Sequence, residues 1–340
     1  MDAKIFYVDD IDSIRDRMLE LYHDFYGEAG RMRLEKRYSW YKKYGDYKLL
    51  LAECNGKLVG QASAYRVKCI VKNNPTELWW GVDTFLIEKA RGLGVGKKLQ
   101  KKLHDDCINF SSAWYSPING IVKRKCGAKD LLSIKFCYYP ISKCYGFFLD
   151  RVFSKIFRVK THIQLPIYDI YSKLNGCSAK SFSVRELNFS DAIVKQINVW
   201  MVQNQYDFYI ERNWDFIRWK YIDNPGMDYH LLEIRNGDVV CGYLAFTEVY
   251  SSFFHGGIVN VCRILDFVKS PDSSLNLKNA ISIISSYYRG KKKLEGIEAI
   301  ESIDYAFKKV ESTTLLSTMR EENINHPYLS YIDQDMEQIF

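Results

Sequence analysis

The stretch Arg91-Gly92-Leu93-Gly94-Val95-Gly96-Lys97 carries the most chemistry in its spacing. Glycine at every second position lets the backbone curl and turn its N–H groups outward, and a helix starting there adds a partial positive charge. A turn of that kind cradles a phosphate or pyrophosphate. Just upstream stand two carboxylates, Glu77 and Asp83. On an extended strand their even spacing puts both on one face, toward one cleft. A carboxylate partly buried there has its pKa raised toward the range useful to a general base. Asp83 is the first choice for that base and Glu77 the second; the plain alternative for each is an ion pair with a neighbouring lysine, or a turn cap. Dinucleotide folds also cluster glycines, but as Gly-x-Gly-x-x-Gly after the first strand of a βαβ unit, with an acid about 20 residues later. Here the spacing is Gly-x-Gly-x-Gly, and the turn comes well inside the chain.

The elements around these residues follow from hydrophobic pattern. Trp79 to Ile87 is apolar, aromatic and β-branched, which predicts a buried strand entering the turn. Val95, Leu99, Leu103 and Cys107 recur every four residues with Lys98, Lys101, Lys102 and Asp105 on other faces, which predicts an amphipathic helix leaving it. His104 follows the core position Leu103 and is expected at the surface or in packing rather than in catalysis. Ile11, Ile14, Met18, Leu21, Tyr22 and Phe25 outline an earlier helix. Tyr47 to Cys54 and Leu58 to Val67 read as strands flanking an Asn55-Gly56 hairpin turn.

In that context Arg91 to Gly96 resembles the Arg/Gln-x-x-Gly-x-Gly/Ala signature of the GNAT superfamily of acyl-CoA-dependent N-acyltransferases. The order helix, hairpin, strand, turn, helix is also that of a GNAT domain. The resemblance extends over most of the first 140 positions. Ala113-Trp114-Tyr115 looks like the next short strand, Ser116-Pro117-Ile118-Asn119-Gly120 through Lys125-Cys126-Gly127 like the Pro/Asn turn and last helix, and Ile134 to Tyr139 like the closing strand. It implies acetyl-CoA or another acyl-CoA as cosubstrate, direct transfer in a ternary complex, and no metal. It places backbone groups of Phe85, Leu86 and Ile87 along the acyl and pantetheine arm. The N–H groups of Arg91, Gly92, Leu93, Gly94, Val95, Gly96 and Lys97 fall on the pyrophosphate, and Asn119 near the pantetheine. Many members carry a tyrosine four residues before the glycine that ends the last helix, where it protonates the departing thiolate. Here that position is Lys123, Tyr115, Tyr138 and Tyr139 lie off it, and the acid step is unassigned.

An internal repeat sets the domain organisation. Asp46-Tyr47-Lys48-Leu49-Leu50, Asn55-Gly56 and Gly60 are echoed by Asp228-Tyr229-His230-Leu231-Leu232, Asn236-Gly237 and Gly242, an offset of about 182. Asp83-Thr84-Phe85-Leu86 faces Asp266-Phe267-Val268-Lys269, and Trp40-Tyr41-Lys42 loosely matches Trp219-Lys220-Tyr221. The expected fold is α+β, or mixed α/β: two GNAT-like domains in tandem, each a mostly antiparallel sheet flanked by helices. The expected division is a first domain over 1–142 with the CoA turn, a connection over 143–180, and a degenerate second domain over 181–340. At the offset of the glycine turn the second copy has Ser274, Leu277 and Asn279, so its cradle is expected to be absent and only the first domain to bind CoA. Residues 145–158, with Tyr145, Phe147, Phe148, Phe153 and Phe157 beside Arg151, Lys155 and Arg158, read as a basic amphipathic helix. Packing between the domains is the favoured reading, and peripheral membrane contact the other.

Composition is that of ordinary globular domains, 47% hydrophobic and 26% charged, which leaves ample material for a core. No apolar run reaches the length of a membrane span, and the opening residues lack a signal-peptide layout, so a cytoplasmic protein is expected. Nine cysteines without Cys-x-x-Cys pairing argue against a disulfide framework and structural zinc. A net charge of +7 suits a polyanionic ligand such as CoA, and no nucleic-acid-binding signature accompanies it. Arg212 to Pro225 looks similar to a segment of bacterial tandem GNAT proteins associated with amino-sugar modification. The expected reaction is therefore acyl transfer to a small amine, most of all an amino sugar or its nucleotide-linked form. The alternatives are an aminoacyl-tRNA-dependent peptidyltransferase of tandem GNAT fold, which typically lacks the CoA turn, and a non-catalytic CoA-binding module.

Overall fold

A computed structural model describes residues 3–43, 46–113, 115–141, 155–156, 176, 178–179, 181–251, 259–288, 294–301, 308–319 and 324–330. The N-terminal half runs β1 (Lys4–Tyr7), α1 (Arg15–Tyr26), α2 (Glu28–Lys43), β2 (Tyr47–Cys54), β3 (Lys57–Val71), β4 (Asn74–Leu86), α3 (Val95–Asp106), β5 (Phe110–Ser112), α4 (Pro117–Lys125) and β6 (Lys129–Pro140). The C-terminal half runs β7 (Ser183–Leu187), α5 (Asp191–Gln203), β8 (Phe208–Ile210), α6 (Trp214–Ile217), β9 (Tyr229–Asn236), β10 (Val239–Ser251), β11 (Val259–Lys269), α7 (Leu277–Tyr287), β12 (Gly296–Ala299) and β13 (Lys309–Ser317). The mixed α/β class holds. β2 and β9, and again α3 and α7, begin 182 residues apart. The expected helix over 145–158 lies outside the described residues except for Lys155 and Ile156.

Among the described residues the strands join edge to edge in one sheet, in the order β1-β2-β3-β4-β5-β13-β6-β12-β11-β10-β9-β7, with β8 pairing β3. Only β4 with β5 and β11 with β12 run parallel. Ile134 to Tyr139 is a strand, as expected, but it does not close the first half alone. β6 lies between β13 and β12, and β13 lies between β5 and β6, so each half is completed by a strand of the other. Strand alternation explains how β6 can serve both: Ile134, Phe136 and Tyr138 pack into the larger core, and Cys137 and Tyr139 into the core under α7. The halves are also joined where Trp40 stacks on Trp219 at 4.8 Å and donates its indole N–H to the Trp219 carbonyl at 2.7 Å.

The short strand expected at 113–115 lies at Phe110–Ser112 instead, and Trp114 is outside the described residues. Ser111 and Ser112 are fully buried hydroxyls, and Ser111 Oγ meets Ser317 Oγ of β13 at 2.6 Å. A strand that buries paired hydroxyls carries little hydrophobic signal.

Candidate functional site

β4 and β5 pair only at Trp79 with Phe110 and Trp80 with Ser111, then diverge. Beyond Trp80 the edge of β4 has no strand partner on that side among the described residues, and its backbone amides face a gap. Gly81 lets the Phe110 ring of β5 pack close against β4, since a Cβ there would meet the ring at 2.3 Å. A cavity of about 480 Å³ fills the splay. Trp80 to Leu86, Ser112, Ala113, the first turn of α3 at Gly96, Phe25 of α1, and one side of α4 with Asn119 and Lys123 form its walls.

A β-bulge shapes the middle of the cleft. The register between β3 and β4 shifts between Gln61 and Ser63, and Asp83 takes a φ of +43°, rare for a residue with a side chain. Two buried glutamines fix it: Gln61 Nε2 donates to the Asp83 carbonyl at 2.9 Å, and Gln100 Nε2 donates to Thr84 Oγ1 at 3.3 Å. The bulge flips alternation, so the buried side chains of β4 are Leu78, Trp80 and Val82 before it, and Phe85 after it. This corrects the expectation that Glu77 and Asp83 share one cleft. Asp83 lines the cleft beside Thr84, whereas Glu77 is exposed, paired to Arg66 at 3.4 Å, and lines a separate cavity of about 850 Å³ where Arg66 and Lys68 meet Glu211 and Asp215. The larger cavity shares no lining residue with the glycine turn.

The turn itself fits an anion. Gly92 and Gly94 have φ of +78° and +77°, with open space where a Cβ would stand. The first helical hydrogen bond runs from Lys98 N–H to the Gly94 carbonyl, 3.1 Å, so the N–H groups of residues 92–97 have no acceptor among the described residues. Gly96 sits where a Cβ would press on Leu86 Cδ1 at 3.3 Å. Arg91 folds back, Nε toward the Leu86 carbonyl at 3.4 Å and its guanidinium over Phe25, while Lys97 and Lys98 are exposed. Leu86 and Phe85 line the cleft, Phe85 stacked on Phe25 at 4.3 Å; of the turn only Arg91 and Gly96 do so, and Ile87, Gly92, Leu93, Gly94, Val95 and Lys97 are not in that lining. Ile87 and Val95 are buried, anchoring the two ends of the turn.

The sequence marks Lys123 only as a replacement for the family's tyrosine, with no role of its own; the structure puts it at the far wall of the cleft. Ser116 caps α4 through the Asn119 N–H, Pro117 starts the helix, and the buried face it presents is Gly120 and Lys123. Lys123 is 2% exposed; its Nζ donates to Ser112 Oγ and lies 5.2 Å and 5.9 Å from the Tyr115 and Phe110 ring centres. Burial pushes its pKa down to about 7. The i, i+3 spacing of Gly120 and Lys123 was the signal for a lysine facing inward. Behind it His104, expected at the surface or in packing, is a packing residue: its ring lies 4.4 Å from Phe110 and burial lowers its pKa to about 4.

The second half closes the corresponding places. At its turn Asn276 and Asn279 cap the first turn of α7 reciprocally, at 2.9 and 3.2 Å, and Leu277 is buried. Where β11 and β12 pair, Arg263 and Glu298 form a buried ion pair at 2.7 Å, and Ser251 Oγ donates to Glu298 at 2.6 Å. Side chains thus fill the interior that the first half leaves open.

Residues 15–114 match the family model described as acetyltransferase (GNAT) family. A search of curated proteins returns no match. Among solved structures the fold is similar to a conserved protein of Enterococcus faecalis V583 described as a probable N-acyltransferase, with 9% identity, 93% of this chain and 72% of that chain covered, and a TM-score of 0.58. It is also similar to a GCN5-related N-acetyltransferase from Anabaena variabilis, at 12% identity, 92% and 72% coverage and a TM-score of 0.56. A GCN5-related N-acetyltransferase from Kribbella flavida matches at 9% identity, 93% and 71% coverage, and 0.53. At these identities the likeness is one of fold.

Proposed function

We propose, from the premise that residues 15–114 form a GNAT-family domain, that the protein transfers an acetyl or other short acyl group from acyl-CoA to a small primary amine. The acceptor is an amino sugar or its nucleotide-linked form, and the amine attacks the thioester directly in a ternary complex. The observation that carries this reading is the cleft: one end opens at a turn of unpaired N–H groups, and the other holds titratable side chains between unpaired strand edges. The pyrophosphate of CoA lies on the N–H groups of residues 92–97. The pantetheine runs along the free edge of β4, with Asn119 across from it, and its two amides pair with backbone groups that have no strand neighbour. The acyl group then reaches the bulge.

At the bulge Asp83 receives the proton of the attacking amine, and amide groups of β4 face the oxygen that gains charge in the tetrahedral intermediate. The Phe25 and Tyr115 rings and the Asp83 side chain line one cleft, which suits a polar ring bearing an amine. The second half takes no CoA, because its turn is capped by its own side chains. Its part is to complete the first half through β13. Titration with acetyl-CoA by calorimetry, followed by thiol release in the presence of glucosamine and other primary amines, tests the reading. One saturable site with amine-dependent CoA release supports it. Absence of acetyl-CoA binding overturns it.

A further inference from the structure

Four titratable side chains among the described residues line the cleft: Asp83, Arg91, Tyr115 and Lys123. Their surroundings give them different chemistry. Arg91 sits at the turn, folded back toward the Leu86 carbonyl. The Tyr115 hydroxyl donates to the Thr314 carbonyl of β13 at 2.9 Å, and burial raises its pKa, so it is a held wall group. Asp83 is a carboxylate, an acceptor of protons. Lys123 alone is an enclosed donor, carried on the inner face of α4 and held toward Ser112 at the deep end of the splay.

We propose that Lys123 is the residue that hands a proton to the CoA sulfur as the thioester breaks, with Ser112 holding its Nζ in line. The step rests on the acyl-transfer reading above. In it the acceptor nitrogen forms its bond to the acyl carbon and gives its proton to Asp83. The carbon–sulfur bond breaks, and the electron pair left on sulfur takes one proton from the Lys123 ammonium. CoA thiol and the amide leave, and the neutral Lys123 amine and the Asp83 carboxyl return to their starting states by proton exchange with solvent. Burial supports this use of a lysine, since it pushes the pKa down to about 7 and lets the group both give and regain a proton near neutrality. The groups packed around Nζ leave that behaviour intact. Ser112 and Phe110 of β5 are neutral, Tyr115 stays protonated, and His104 of α3 stays uncharged because burial lowers its pKa to about 4; Asp83 is the one acid in the lining.

The test compares wild type with Lys123→Met, which keeps the length of the side chain, and with Lys123→Arg, which keeps the charge but holds its proton. Each is titrated with acetyl-CoA by calorimetry and assayed for thiol release with glucosamine across the neutral and alkaline range. Wild-type turnover falls as pH rises through about 7, where the donor loses its proton. Both variants bind acetyl-CoA within about threefold of wild type, turn over about 100-fold more slowly, and lose that descending limb. Turnover within a few-fold of wild type in either variant, with the limb kept, overturns the assignment and leaves the transferase reading standing. Loss of acetyl-CoA binding in Lys123→Arg also overturns it, in favour of a wall-shaping role. Acetyl-CoA binding by wild type without thiol release on any primary amine is a different result, and removes the transferase reading together with this one. If Lys123→Met fails to melt cooperatively, Lys123→Arg decides by the same outcomes.

Discussion

Mild acid should loosen the protein through one histidine behind the cleft. The His104 ring is 8% exposed; its Nδ1 faces the Cys126 carbonyl at 3.3 Å, and Nε2 is buried with no hydrogen-bond partner among the described residues. Burial, with a smaller contribution from the Lys123 charge, holds its pKa near 4 against 6.5 in the unfolded chain. The unfolded state therefore binds a proton at about pH 6.5 that the folded state accepts only at about 4, and stability falls as pH falls through that window. The whole difference is worth about 3 kcal/mol. Lys123 works in a separate window: its pKa is about 7 folded and 10.5 unfolded, so it makes stability rise with pH above neutrality and adds no slope below. The assay is urea unfolding of wild type and His104→Phe at several pH values from about 4 to 7. Phenylalanine keeps a ring against Phe110 and has nothing to protonate, while other titrating groups cancel in the difference. Wild type should lose about 3 kcal/mol relative to the variant between the two ends of that range. A difference flat with pH refutes the argument that burial of a neutral imidazole sets the acid limit.

Other substitutions probe the turn, the packing of the cleft and the closed second half. Gly94→Leu forces a side chain into a φ of +77°, at a backbone cost of about 1–2 kcal/mol, and projects it into the open space over the N–H groups. Acetyl-CoA affinity by calorimetry should drop by about tenfold or more, and unchanged affinity removes this turn from the binding site. Gly60→Ala sets a Cβ 2.2 Å from Leu86 Cδ2 and 2.7 Å from the Phe85 carbonyl, so denaturant unfolding should show a loss of about 1–3 kcal/mol; a neutral result means β4 yields there at no cost. Glu298→Ala leaves Arg263 charged and buried in the second half, which should cost about 3–5 kcal/mol in the same assay, and a loss under about 1 kcal/mol would show that water reaches the pair. Acetyl-CoA should bind wild type with a stoichiometry of one, since α7 is already capped by Asn276 and Asn279; a second site in the titration contradicts that.

Much of the first half was legible because its signals are local. The Asn55-Gly56 turn fixed the β2–β3 hairpin, and the four-residue spacing of Val95, Leu99 and Leu103 fixed α3; all three of those side chains are buried. The offset read from the sequence also matches the spacing of α3 and α7, which begin 182 residues apart. What escaped was non-local. Strand alternation assigns Glu77 and Asp83 to one face only while the strand is regular, and a bulge held by Gln61 and Gln100 is invisible in the strand's own pattern. The exchange of β6 and β13 depends on pairing across half the length of the chain, for which period and turn chemistry give no cue. Lys123 was noticed as a missing tyrosine, and its burial depends on Ser112 and Tyr115 arriving from other elements.

The placement of β13 sets an order of events during synthesis. Translation runs from the N-terminus, so the glycine turn, the bulge and Lys123 all emerge before residues 309–317, which supply the neighbour of β5, the partner of the Ser111 hydroxyl and the acceptor for Tyr115. Until β13 leaves the ribosome, β5 has an unpaired edge beside an unfinished cleft, and its closure waits on contacts about two hundred residues apart in sequence. A chain that stops short of β13 therefore carries an exposed strand edge and an unfinished cleft, so a complete cleft itself reports that residues 309–317 have been translated.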